Sequence, residues 1–298
     1  MSTVEQVTLR SAETVHQRPS WLKRHRSRLL IYGSFILFAL FTLIPFFYVF
    51  QSSITPLDKL FQIPPTYFPA HPTLNNYERM FDSIPFKIYF RNSAIFAVGS
   101  GAASVTAAAM AAYALARIKF PASNVVYMLL ILSSALPQIA VLVPMFETFQ
   151  QFHLINTHQG LILLMSSLLL PFTILILVSF IMQVPVEIEE AALIDGANIV
   201  QVLTRIVLPL IMPGISTMFM INFIIGWNEL LYPLVFAQRM NTKTLSVGLI
   251  ELSSNSSTWT RPWDLMSAMS ILMVIPVLLI VLAGQRMIIA GLSRGAVK

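Results

Sequence analysis

The chain has 298 residues, 56% of them hydrophobic and only 11% charged, with a mean hydropathy of +0.74 and a formal charge of +6. Soluble domains carry charge on about a quarter of their residues, so this composition excludes one and describes an integral membrane protein. The absence of cysteine excludes a disulfide framework, a thiolate metal site and a thiol nucleophile, and no nucleic-acid partner is read from the basic balance.

In chain order, residues 1–28 form a polar tail, expected to be disordered, with Lys23, Arg24, Arg26 and Arg28 crowded before the first apolar run. That run exceeds the core of a secretory signal and no A-x-A-like site closes it, so it reads as an uncleaved anchor span. A charge at the bilayer centre costs about 3 kcal/mol on insertion scales, and about 20 apolar residues cross the hydrocarbon. Charge-free intervals therefore mark the spans, at 29–50, 92–116, 125–146, 159–182, 208–230 and 265–285. The fold class is an all-α membrane protein of six transmembrane helices. Its membrane domain covers 29–290, with an external loop at 51–91, where Pro64, Pro65, Pro69 and Pro72 oppose helix formation, and a short C-terminal tail at 291–298. With both ends cytoplasmic, 12 of the 19 Lys and Arg fall inside, as the positive-inside bias requires.

The second span carries two rows of small residues, Gly99, Ala103, Ala107, Ala111 and Ser100, Ser104, Ala108, Ala112. Helices in lipid associate by close backbone approach at such rows, so this span is expected at the centre of the bundle. The third span holds Ser133, Ser134, Pro137, Gln138 and Pro144, and the fourth Ser166, Ser167, Pro171, Thr173 and Ser179. Polar residues at that depth serve either a solute path or helix-to-helix hydrogen bonds; Gln138 is the path candidate. In the fifth span Asn222 lies deep, and Asn228 and Glu229 near the outer boundary are further path candidates, while Trp227 and Tyr232 suit the interfacial belt. The five histidines are scattered without an i, i+4 pair and read as solvated loop residues, so no metal centre is expected.

Between the fourth and fifth spans, residues 184–207 are polar and acidic. Pro185 at a first helical position and Glu187, Glu189 and Glu190 in the first turn predict a short helix, which Asp195-Gly196 ends because glycine adopts the left-handed conformation freely. Asn198 then caps a second short helix, whose Ile199, Val202, Leu203 and Ile206 share one face. Pro209 is expected to start the fifth span.

Glu190-Ala191-Ala192, three residues, Gly196, nine residues and Ile206-Val207-Leu208-Pro209 match the E-A-A-x3-G-x9-I-x-L-P loop of ABC importer permeases. The chain resembles that family, and Trp227-Asn228-Glu229 with Pro233-Leu234, and Thr244 to Leu249, resemble its carbohydrate class. The tail at Gly291, Ser293, Gly295 and Lys298 resembles that of the shorter maltose-type permease, which contacts the ATPase pair; a basic stop-transfer end is the simpler alternative.

The resemblance implies a type I ABC importer fold, with Glu190, Ala191, Ala192, Gly196, Ile206, Leu208 and Pro209 forming a cytoplasmic coupling loop. It implies a second permease, commonly a non-identical homologue, two ATP-binding subunits holding ATP and Mg, and an external solute-binding protein. The setting is a bacterial or archaeal cytoplasmic membrane with its lipid. The cargo is a sugar or sugar-like solute: a disaccharide, an oligosaccharide, a glycosylated osmolyte or glycerol phosphate. No G-x-x-x-x-G-K-[ST] occurs, so the chain is expected to be a non-catalytic subunit with no cofactor of its own. The alternatives, an ion-coupled secondary transporter or a membrane transferase, require ionisable groups at membrane depth, and the spans contain no acidic pair and no histidine.

Overall fold

The computed structural model describes residues 21–64, 67–118, 120–254 and 261–296; for 21–27, 138 and 286–296 only the backbone is described. Of the tail expected at 1–28, residues 1–20 lie outside the described residues and 21–28 are helical; Lys298 and the side chains of Gln138, Ser293 and the rest of 286–296 also lie outside them. Every regular element among the described residues is helical.

The chain divides into two compact units, Met1–Val49 and Phe50–Lys298. The described part of the first belongs to α1 (Trp21–Ser53), of which Arg28–Ser53 is long and apolar enough to cross a membrane. The hydroxyls of Ser34 and Thr42 bond back to the carbonyls of Leu30 and Phe38 at 2.8 and 2.9 Å, so their polar atoms are satisfied inside the helix.

The second unit opens with two helices inside the stretch expected as a loop: α2 (Leu57–Leu60) and α3 (Asn75–Ser83). Buried Asn76 donates to the carbonyls of Ser53 and Thr55 at 3.0 and 2.9 Å, which folds the loop back onto the end of α1. Next comes α4 (Phe86–Arg117), packed on α7 (His158–Ile181) and α11 (Met212–Asn228). The two small-residue rows are buried unequally: Ser100, Ser104, Ala108 and Ala112 are fully buried, while in the other row Gly99, Ala107 and Ala111 are half-buried and Ala103 is exposed. The central place expected of this span rests chiefly on the serine-alanine row.

Two of the expected spans are broken. The third consists of α5 (Ser123–Ala135) and α6 (Gln138–Gln151), bent by 102°. Pro137 causes it: the ring disfavours helix for the preceding residue, and Leu136 is extended at φ −68°, ψ 134°. The fifth runs as α9 (Ile199–Val202), a π-helical turn over Leu203–Val207 and α10 (Leu208–Leu210), then bends by 76° into α11. Pro209 does not start the span as expected. It lies within the first arm, and the apolar helix restarts at Met212 with Pro213 in its first turn. Neither proline donates an N–H, so the rungs at 209 and 213 are missing on either side of Ile211, whose own N–H still donates to the Val207 carbonyl at 3.0 Å. Among the described residues four helices are apolar and long enough to span a membrane, or up to six if each bent pair counts as one span.

The unit closes with α12 (Leu231–Phe236), α13 (Leu245–Ser254) and α14 (Trp263–Ala296). Trp227 and Tyr232, expected in the interfacial belt, are 2% and 0% exposed. The indole of Trp227 stacks on Phe223 and donates to the carbonyl of Met273 at 3.0 Å, so it packs the core. Burial chiefly, and then the charge of Glu229, raise the Tyr232 phenol above its usual pKa. His158 is half-buried rather than solvated, with its Nε2 3.1 Å from the Asn92 Oδ1.

Candidate functional site

The residues 184–211 form an elbow whose two arms are set by backbone chemistry. The first is α8 (Val186–Ile194), preceded by Pro185, which sits one residue before the position expected for it. Gly196 ends the arm at φ +89°. The Gly196 N–H donates to the Leu193 carbonyl at 3.1 Å and the Ala197 N–H to the Ala192 carbonyl at 3.0 Å, the paired bonds of a left-handed helix stop. The second arm starts at Asn198, whose side chain accepts from the Gln201 N–H while the Gln201 side chain accepts from the Asn198 N–H, both at 2.9 Å. This reciprocal cap satisfies two otherwise orphaned donors.

Burial divides the signature residues. Glu190, Ala191, Gly196 and Pro209 are exposed, and Ala192, Ile206 and Leu208 are half-buried. Ala192 and Leu208 lean on an apolar cluster that includes Tyr113, Ile181, Val184, Val202 and Val207. Ile199, expected to share one face with Val202, is 58% exposed where Val202 is buried; Val200 is 68% and Ile194 86% exposed.

Three residues not singled out from the sequence hold this elbow to the bundle. Glu189 is 4% exposed, and its carboxylate accepts from the Arg117 Nε at 2.7 Å and the Tyr113 hydroxyl at 3.1 Å. Arg117 also donates to the carbonyls of Ile181 and Val184 at 2.9 and 2.7 Å. Nothing in the spacing separates Glu189 from Glu190. Arg117 ending an apolar span was the available signal.

The path candidates fall in different settings. Asn222 is fully buried and donates to the hydroxyls of Ser104 at 2.8 Å and Thr173 at 3.0 Å, tying α11 to α4 and α7, so here it packs helices and reaches no open surface. Asn228 is exposed and bonds its own helix at the Ile224 carbonyl. Glu229 accepts from the Tyr232 N–H at 3.3 Å. Gln138 opens α6, beside a cavity of about 470 Å³ lined by Ser133, Ser134, Thr148, Ser167, Pro144 and Pro171 among others. Gly291, Ser293 and Gly295 continue α14, and their surroundings lie outside the described residues.

Among the described residues the buried charged groups are Glu189 and Asp264, both near helix ends. No three His, Asp or Glu side chains among them come together to hold a metal ion.

Comparison with known proteins agrees with this geometry. Residues 104–294 match the family described as the binding-protein-dependent transport system inner membrane component. An inner membrane ABC transporter permease protein of Escherichia coli is 33% identical over 93% of this chain and 98% of its own length. The sulfoquinovosyl glycerol transport system permease of Agrobacterium fabrum is 34% identical over 86% and 89%, and the trehalose/maltose transport system permease of Thermococcus litoralis 31% over 91% and 96%. A chain of a bacterial ABC transporter involved in importing the acidic polysaccharide alginate superposes with a TM-score of 0.78 at 20% identity, covering 90% of this chain and 99% of that one. With the type I importer fold and the signature elbow, these place the chain in the binding-protein-dependent transport system inner membrane component family, as a permease subunit of an ABC importer.

Proposed function

We propose that the chain carries a sugar or sugar-like solute across a bacterial or archaeal cytoplasmic membrane as half of a two-permease pathway, and that it hydrolyses no ATP itself. Two partner ATPases hold ATP and Mg and dock on the elbow; an external binding protein delivers the solute. The observation that carries this reading is the exposure of Glu190, Ala191 and Gly196, together with that of Ile194, Ile199 and Val200, on two arms fixed by backbone caps. The small side chains of Ala191 and Gly196 let a second protein approach the helix backbone, and Glu190 offers it a charge.

Names of relatives such as the sulfoquinovosyl glycerol and trehalose/maltose permeases support a carbohydrate cargo, and an alginate transporter solved with its periplasmic protein supports the external partner. Both termini lie in the cytoplasm, on the side of the elbow. Gln138, Asn228 and Glu229, with the serine-lined cavity beside α6, form this chain's share of the path, and Gly291, Ser293, Gly295 and Lys298 reach the ATPases. The test is reconstitution of the complete transporter in liposomes. ATP-driven uptake lost in Gly196→Pro, with membrane insertion intact, is the expected result; uptake without any ATPase subunit refutes the reading.

A further inference from the structure

We infer that Arg117 and Glu189 act as a strut that delivers displacement of α8 to α4, the central helix of the bundle. The inference rests on the reading of α8 as the ATPase-docking helix.

One guanidinium joins three segments. The Arg117 side chain, 13% exposed, closes α4. It pairs with Glu189 of α8 through Nε at 2.7 Å, and through one terminal nitrogen it holds the carbonyls of Ile181, the last residue of α7, and Val184. Tyr113, one turn back on α4, donates its hydroxyl to the other Glu189 oxygen at 3.1 Å. The Ile181 carbonyl, which also accepts from the Val184 N–H at 3.0 Å, and the Val184 carbonyl just beyond the helix end thus share one guanidinium. A planar fork with five donors makes these bonds in one rigid geometry, which a lysine ammonium does not.

The pair is the charged link between α8 and the bundle, beside an apolar one. The backbone of α8 packs on α9, and Ala192 leans on the cluster that includes Tyr113 and Ile181. The apolar residues around the pair, among them Ile181, Val184 and Val202, keep water from screening it. Glu189 adds nothing to the exposed docking face, since its carboxylate is turned inward. A push on α8 thus reaches α4 through the Arg117–Glu189 contact, in a fixed geometry that the apolar contact of Ala192 does not impose. From α4 it passes to α7 and α11, which pack along it.

The test measures solute taken up per ATP hydrolysed by the complete transporter in liposomes. Glu189→Gln and Arg117→Met are each expected to keep ATP hydrolysis and lower uptake per ATP about tenfold, a typical size for coupling between sites. Either single change leaves a buried group unpaired and threatens assembly, so the double variant decides the matter: with both charges gone, no unpaired ion remains. It is expected to assemble at the unaltered level and still show the tenfold deficit, with Arg117→Lys intermediate. Recovery of the unaltered ratio in the double variant makes the pair merely structural and overturns the strut alone. A complex with no ATP-driven uptake before any substitution removes the docking reading and the strut together.

Discussion

Glu189 and Glu190 are consecutive in the chain and face opposite surroundings, the first 4% exposed and bound to Arg117, the second open to water. Substituting the exposed acid disturbs no internal bond, so Glu190→Gln is expected to change stability by less than about 0.5 kcal/mol. It should nevertheless weaken retention of the ATPase during affinity purification. Full retention, compared with the unaltered protein at equal expression, would argue that the charge takes no part in docking.

At Gly196 the backbone sits at φ +89°, and an added Cβ would have nothing within 4 Å. The cost of a side chain there is conformational, about 1 kcal/mol for alanine and more for a β-branched residue. Uptake and thermal stability are expected to fall in the order Asn, Ala, Val, because asparagine tolerates the left-handed region best. An equal effect of all three would place the defect in the space around the residue.

Asn222 bonds Ser104 and Thr173 across two helix interfaces. Interhelix hydrogen bonds in membranes average about 0.6 kcal/mol, so Asn222→Ala should cost about 1 kcal/mol in detergent unfolding. Asn222→Asp, which puts a charge where no surface is exposed, should cost several times as much. If Asn222→Ala instead leaves stability untouched and alters solute affinity, the side chain belongs to the path.

Asp264 is fully buried at the start of α14 and accepts from Arg79 at 2.9 Å, while Arg79 is 46% exposed. The pair should respond asymmetrically. Arg79→Ala strands a carboxylate whose second oxygen already has no hydrogen-bond partner, at a cost of about 3 kcal/mol. Asp264→Asn leaves an arginine that water can solvate and should cost about 1 kcal/mol. Unfolding midpoints of the two variants and of the double decide it, the double being expected close to Asp264→Asn.

The elbow was legible in the sequence because its signals are local. Gly196 and the Asn198 cap act through bonds to residues no more than five positions away, and both stand where expected. Pro137, Pro209 and Pro213 were visible, but hydropathy does not distinguish a kink from a break, so the bent pairs emerged only with the coordinates. Long-range partners were equally hidden: Trp227 looked like a belt residue until its bond to Met273 was seen. Glu189 and Glu190 are identical in type and adjacent in position, and only packing against Tyr113 and Arg117 tells them apart.

The π-helical turn at Leu203–Val207 closes with a bond from the Leu208 N–H to the Leu203 carbonyl, five residues back, just before Pro209, whose ring would otherwise press on the Arg205 carbonyl. Such a turn holds one residue more than a regular helix needs. Excising a single residue from it should return the turn to regular helix and leave the bearing of Glu190 almost unchanged, because five π-helical residues turn the chain about as far as four α-helical ones. The extra residue is thus absorbed where it stands, and the elbow keeps its azimuth although the chain is longer there.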